Sequence, residues 1–218
     1  MMLLNIKNAQ IKTTLLLTFI SLLLVSSWSF AYNGPARGPA RGAVDTPAYT
    51  PSDPSYIIYT TLQKITTFSS NSDKINPVKL RGFIENEIIP HFDFDNMSHW
   101  ITGRYARNMS DKDKAAFQRN LRETFLSSLS KHLGSFDSKN TNVKFHKARY
   151  RGNDESFVNT TVYRPDKLPV HLDFRMSREG DDWKIIDVKA NGSSAVMYYR
   201  RHFMAELRAY DRQGRRPY

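Results

Sequence analysis

The stretch Trp183–Leu207, WKIIDVKANGSSAVMYYRRHFMAEL, decides the fold. Alternation across Trp183–Ala190 predicts a strand, with Ile186, Val188 and Ala190 on one face and Trp183, Ile185, Asp187 and Lys189 on the other. Asn191-Gly192 turns the chain, and Ser193 or Ser194 then caps a helix that begins at Ala195 and Val196. In that helix Val196, Tyr199, Phe203 and Leu207 recur at spacings of three and four, which makes one apolar stripe. A connection this short folds the helix back over one end of the sheet. Any cavity is expected between the two surfaces.

Working backwards from that strand, the apolar period is two from about Asn140 onwards. Val143, Phe145 and Lys147 alternate with Lys144, His146 and Ala148 in a first strand, Phe157–Arg164 is a second, and Pro169–Ser177 a third. The third is the clearest, with Val170, Leu172, Phe174 and Met176 on one face and His171, Asp173, Arg175 and Ser177 on the other. Short turns at Gly152-Asn153, Arg164-Pro165-Asp166 and Glu179-Gly180-Asp181 favour an antiparallel meander. A sheet with one apolar face must cover it, and the preceding helices are the available material.

Those helices announce themselves by their caps. Asp53-Pro54 opens a first one, whose stripe is Ile57, Ile58, Thr61, Leu62, Ile65 and Phe68. Asn76-Pro77 opens a second, periodic through Leu80, Phe83, Ile84, Glu87 and Ile88 and stopped by Pro90. Asp93 and Asp95 flank a short third helix through Met97, Trp100 and Ile101 to Gly103. Ser110-x-x-Asp113 is a capping box for the fourth, where Phe117, Leu121, Phe125, Leu129 and Leu133 repeat until Gly134 ends it. The fold class expected is therefore α+β: helices, then a four-stranded antiparallel sheet, then a closing C-terminal helix.

The ends of the chain read differently. Lys7 and Lys12, the apolar run Leu15–Val25 and the small-x-small site Ser29-Phe30-Ala31 make residues 1–31 a cleavable signal peptide. An uncleaved anchor is the alternative, since Thr13–Phe30 is almost long enough to span a bilayer. Residues 32–53 are a linker without apolar period, in which Gly-Pro-Ala-Arg occurs twice, ending at Arg37 and Arg41. The folded domain is placed at residues 54–210, and residues 211–218 form a basic tail.

Composition narrows the function. The 218-residue chain has a net charge of +11 and no cysteine; removal of the leader, which carries two lysines and no acid, leaves +9. Such a balance favours anionic surfaces, of which lipid headgroups fit an exported chain better than nucleic acid. Without cysteine there are no disulfides, no thiol chemistry and no lipid-modified anchor. The six histidines (His91, His99, His132, His146, His171, His202) show no metal-ligand spacing, so no metal site is expected. No catalytic constellation stands out. Asp93 and Asp95 are explained by capping, Asp187 by a bond to a neighbouring turn or arginine, and the serines lack a G-x-S-x-G elbow.

Two motifs carry a resemblance. W-K-x-x-D-V, then N-G-S-S and Y-Y-R-R-x-F, is similar to the end of MlaC-type proteins, the toluene-tolerance family of periplasmic phospholipid carriers. Ile88–Arg107, IIPHFDFDNMSHWITGRYAR, resembles the P-x-F-D-F and G-x-x-aromatic pattern of the same family. With the order of elements, the resemblance covers roughly Pro54 to Ala209. It implies an apolar cavity between sheet and helices that holds the acyl chains of a phospholipid, with the headgroup near solvent. The residues it points to are Phe94, Met97, Trp100, Ile101, Phe125, Leu129, Val170, Leu172, Phe174, Met176, Ile186, Val188, Tyr199 and Phe203. Arg200 and Arg201, at the family's Tyr-Arg pair, are the expected headgroup or partner contacts. The resemblance further implies a role in outer-membrane lipid asymmetry, no cofactor, and two partners: an outer-membrane lipoprotein–porin complex and an inner-membrane ABC transporter complex with a substrate-binding ring. Read without it, an apolar sheet face under helices is normally just a packed core, and a small-substrate enzyme on a cone-shaped α+β fold or a packed interaction module remain the competing readings.

Overall fold

Local caps start the helices where the sequence places them. In the computed structural model, which describes residues 49–70, 76–134, 140–165 and 167–212, the Asp53 carboxylate accepts the Ser55 N–H at 2.7 Å and helix α1 runs Pro54–Ser70. The leader, most of the 32–53 linker and the end of the tail lie outside the described residues. Asn76 accepts from Val78 N and Lys79 N and opens α2, Pro77–Phe83. The chain then underwinds and overwinds in turn. Residues Ile84–Ile88 form a π-helical turn, followed by a 3-10 turn at Ile89–His91. The wider turn brings Ile84, Ile88 and Ile89 all into the interior, at 0%, 4% and 3% exposure. The regular second helix expected up to Pro90 is thus α-helical only as far as Phe83.

Asp93 caps α3, Phe94–Thr102, by accepting from Asn96 N at 2.8 Å. Ser110 caps α4, Asp111–Leu133, after a 3-10 turn at Gly103–Asn108. Among the described residues the sheet has six strands: β1 Asn142–Phe145, β2 Arg149–Arg151, β3 Glu155–Arg164, β4 Lys167–Glu179, β5 Asp182–Ala190 and β6 Ser193–Ser194. All pairings between them are antiparallel, in the order β1-β3-β4-β5-β6, with β2 also on β3. The single first strand expected from alternation is interrupted at residues 146–148, and the Ser193–Ser194 pairing adds the short sixth. Asn191 (φ 47°) and Gly192 (φ 82°) make the left-handed two-residue turn into it. Helix α5, Ala195–Arg212, closes the fold.

The sheet register corrects one expectation about faces. Arg175 pairs with Asp187 but Met176 pairs with Ile185, so Ile186 is the extra residue of a β-bulge. The bulge shifts the alternation by one. Trp183 and Ile185 therefore share a buried cluster with Val188, rather than facing away from it with Asp187 and Lys189. Ile186 is itself buried at 5% exposure. Strict period-two reading fails here because a bulge buries two consecutive isoleucines.

Candidate functional site

Helix α1 lies on the inner face of the sheet. Ile58 is buried with Val158, Met176, Trp183 and Ile185, and half-buried Phe174, Val188 and Phe145 pack against them. Cross-strand register sets the rows: Val158, Phe174 and Val188 in one, Thr160, Leu172 and Ala190 in the next. Trp183 closes the far end, its indole N–H donating to Ser52 O at 3.1 Å, with the ring of Tyr150 edge-on at 6.2 Å.

Two further apolar clusters lie among the helices. Leu80, Ile84, Ile88, Ile89, Phe125 and Leu126 form one, with Phe94 and Leu129 at its edge. Met97, Ile101, Leu121 and Val196 form the other, with Phe117, Tyr199 and Phe203 at its edge. Burial, then the neighbouring Tyr198, pushes the Tyr199 phenol far above its ordinary range. Phe92 packs against all three clusters. Its ring meets Phe125 at 4.6 Å and Phe94 at 6.0 Å, and its backbone forms a parallel bridge with Ile185. Asp93 N donates to Ile185 O at 3.0 Å beside it, so the segment entering α3 is stitched to the edge of β5.

The residues named from sequence are distributed over these surfaces. Phe174, Met176 and Val188 belong to the inner sheet face, and Val170 and Leu172 continue that face along β4. Phe94, Phe125 and Leu129 belong to the first helical cluster, and Met97, Ile101, Tyr199 and Phe203 to the second. Ile186 sits in the bulge. Trp100 stands apart, 42% exposed, under the Arg175 guanidinium at 4.9 Å from the ring centroid; Arg175 in turn pairs with Glu155. Phe92, Ile58, Trp183 and Ile185 are central to these clusters and lie outside the set of residues to which the resemblance points. The Phe92-Asp93-Phe94 alternation ahead of α3 was the available signal for Phe92, and the apolar stripe of α1 for Ile58.

The two arginines divide. Arg201 is exposed, whereas Arg200 is half-buried and donates to Trp100 O at 2.6 Å. That carbonyl lies in the last turn of α3, so Arg200 caps the negative end of that helix. Gly103 ends α3 at φ 55°, a conformation that favours glycine, and a Cβ there would stand 3.0 Å from the Arg200 guanidinium nitrogens, which would have to shift. Asp187, 8% exposed, accepts from Ser194 Oγ at 2.6 Å and Val196 N at 3.1 Å. It is a helix anchor, and Ser194 adds the cap by accepting from Met197 N at 3.0 Å.

Among the described residues there is no group of three or more histidine, cysteine or acidic side chains placed to hold a metal. None of the described helices is long and apolar enough to cross a membrane. The chemistry this interior offers is apolar contact, continuous from the sheet through Phe92 to the helices.

The fold has a solved counterpart. The phospholipid-binding protein from Ralstonia solanacearum, determined in complex with a phospholipid, superposes with a TM-score of 0.65 over 74% of this chain and 89% of that one, at 19% identity. No curated protein matches the chain at a significant level. The model of the MlaC protein family matches residues 57–214, from the first turn of α1 to just beyond α5. With the motif at Phe92, the closing strand and the capped last helix all inside that span, the chain belongs to the MlaC family.

Proposed function

We propose that the protein is a phospholipid carrier of the periplasm, which takes up lipid acyl chains between the inner sheet face and the helices and moves them between the outer and inner membranes. Membership of the MlaC family over residues 57–214 is the observation that carries this reading. The phospholipid in the related fold from Ralstonia solanacearum supports it. The physics requires such a device. Two acyl chains hold about 30 methylenes, and at roughly 0.8 kcal/mol each their exposure to water costs about 25 kcal/mol. An apolar interior that exchanges bilayer contacts for protein contacts removes most of that barrier. It needs no catalyst, because direction comes from the partners: an outer-membrane lipoprotein–porin complex on one side and an ABC transporter with a substrate-binding ring on the other.

Leu172 offers the test. It is half-buried on the inner face, beyond the buried cluster around Val158 and Met176. Leu172→Asp is expected to abolish co-purified phospholipid while circular dichroism and melting stay close to those of the parent. A folded Leu172→Asp protein with an unchanged lipid load contradicts the proposed lining.

A further inference from the structure

The outer face of the same sheet carries a concavity that lipid carriage leaves unused. Edge pairing with β3 breaks between β1 and β2, at residues 146–148, although His146 N still reaches Asn159 O at 2.9 Å. The break opens a groove of about 450 Å³ on that face. Its floor is Thr161, only 2% exposed. The Thr161 hydroxyl lies between His146 Nε2 at 2.9 Å and His171 Nδ1 at 3.2 Å. Beside it, the Asn159 side chain donates to Asp173 and accepts from Arg149 at 3.3 Å. Lys147 completes the rim, and Lys189 pairs opposite Asp173 on the next strand.

This arrangement has a definite donor pattern. A hydroxyl has one proton, so Thr161 donates to one neutral imidazole and accepts from the other. The two rings are therefore held in complementary states. One turns an N–H away from Thr161, the other a lone pair. Lys147 and Arg149 add fixed positive charge at the rim. Asp173 is the one carboxylate lining the groove, and its near oxygen is occupied by the Asn159 amide. A groove with two cations, two imidazoles and one engaged acid is complementary to an anion with several acceptor oxygens.

We propose that this groove binds a phosphate group, on the sheet face opposite the apolar interior. The chemistry is shared by free inorganic phosphate and by the phosphodiester of a lipid headgroup. The site does not depend on acyl-chain carriage, so a protein unable to hold lipid still binds the anion here.

Nitrogen-15 imidazole spectra of the full mature chain test it, at a constant ionic strength of about 0.15 M, where non-specific attraction beyond roughly 8 Å is screened. One arm titrates inorganic phosphate and the other glycerophosphoglycerol, the water-soluble diester fragment of a headgroup. Saturable shifts of His146 and His171, with His99 unmoved, are the expected result, and the tighter probe identifies the source. Lys147→Gln with Arg149→Gln removes two exposed side chains and is expected to weaken binding at least tenfold. Arg122→Gln, exposed on α4, is expected to leave it unchanged. No saturable shift with either probe, or equal binding by the Lys147→Gln, Arg149→Gln protein, overturns the proposal.

Discussion

The two faces of the central sheet are built from the same strands and behave as different materials. On the inner face Val158 and Met176 are each 0% exposed and pack with Ile58, Trp183 and Ile185, while the hydroxyls of Ser156 and Thr160 beside them are spent on backbone carbonyls. On the outer face the adjacent residues Asn159 and Arg175 are half-buried and tied into polar pairs with Asp173 and Glu155. One residue along the chain therefore separates a site where an unpaired charge is intolerable from one where charges are paired. The comparison teaches that side-chain parity divides apolar from polar surface on this scaffold, and that a one-residue shift such as the bulge at Ile186 reassigns a residue from one face to the other.

The largest break of that contrast is to place a carboxylate on the wrong face. Val158→Asp buries an unpaired charge among Ile58, Met176 and Ile185, and is expected to cost about 3 kcal/mol or more. Asn159→Ala, its sequence neighbour, loses only partly exposed hydrogen bonds and is expected to cost about 1 kcal/mol. Urea titration of the pair measures both. Similar losses for the two would mean that the faces are not distinct.

Asp187 sharpens the comparison, because it is buried although its strand neighbours Lys184 and Lys189 are not. Helix α5 covers it, and its carboxylate holds the first turn of that helix through Ser194 and Val196. Asp187→Ala is expected to cost about 2 kcal/mol and lower the melting temperature by several degrees, with Asp187→Asn recovering part of the loss. An unchanged melting temperature for Asp187→Ala would show that the carboxylate does not anchor α5.

The sequence made much of this legible. Caps at Asn76, Asp93, Ser110 and Ser194 all lie where short polar residues precede an apolar period, since capping is local chemistry. The face of β4 from Val170 to Met176 reads directly from alternation. The face of β5 does not, because two adjacent isoleucines satisfy either parity until the register with β4 is known. Phe92 joins three clusters from residues far apart in sequence, which no local period records. The groove around Thr161 needs His146 and His171 to arrive from different strands, and its opening depends on an interruption of β1 that alternation passes over. Periodicity also reports burial alone. It does not say whether Phe94 or Phe203 faces a neighbouring side chain or a lipid chain.

A smaller effect tests the seam between the helices and the inner face. His91 ends the 3-10 turn there. Burial, and then Lys64 and Lys184, lower its pKa, with Glu87 partly opposing them. The unfolded chain therefore binds a proton near the ordinary value of about 6.5 that the folded protein resists. Stability is expected to fall as pH drops from about 7.5 towards 5.5, and His132, also lowered by burial, acts in the same direction. His91→Gln should flatten part of this slope in melting temperature against pH. An unchanged slope would remove His91 as a contributor.

The central claim is that the apolar interior holds phospholipid, and native mass spectrometry of the mature protein purified from the cell envelope tests it most directly. The expected spectrum shows protein carrying an added mass that organic extraction releases and fragmentation identifies as diacyl phospholipid. Protein of bare polypeptide mass, folded and unable to acquire lipid from vesicles, would contradict the account.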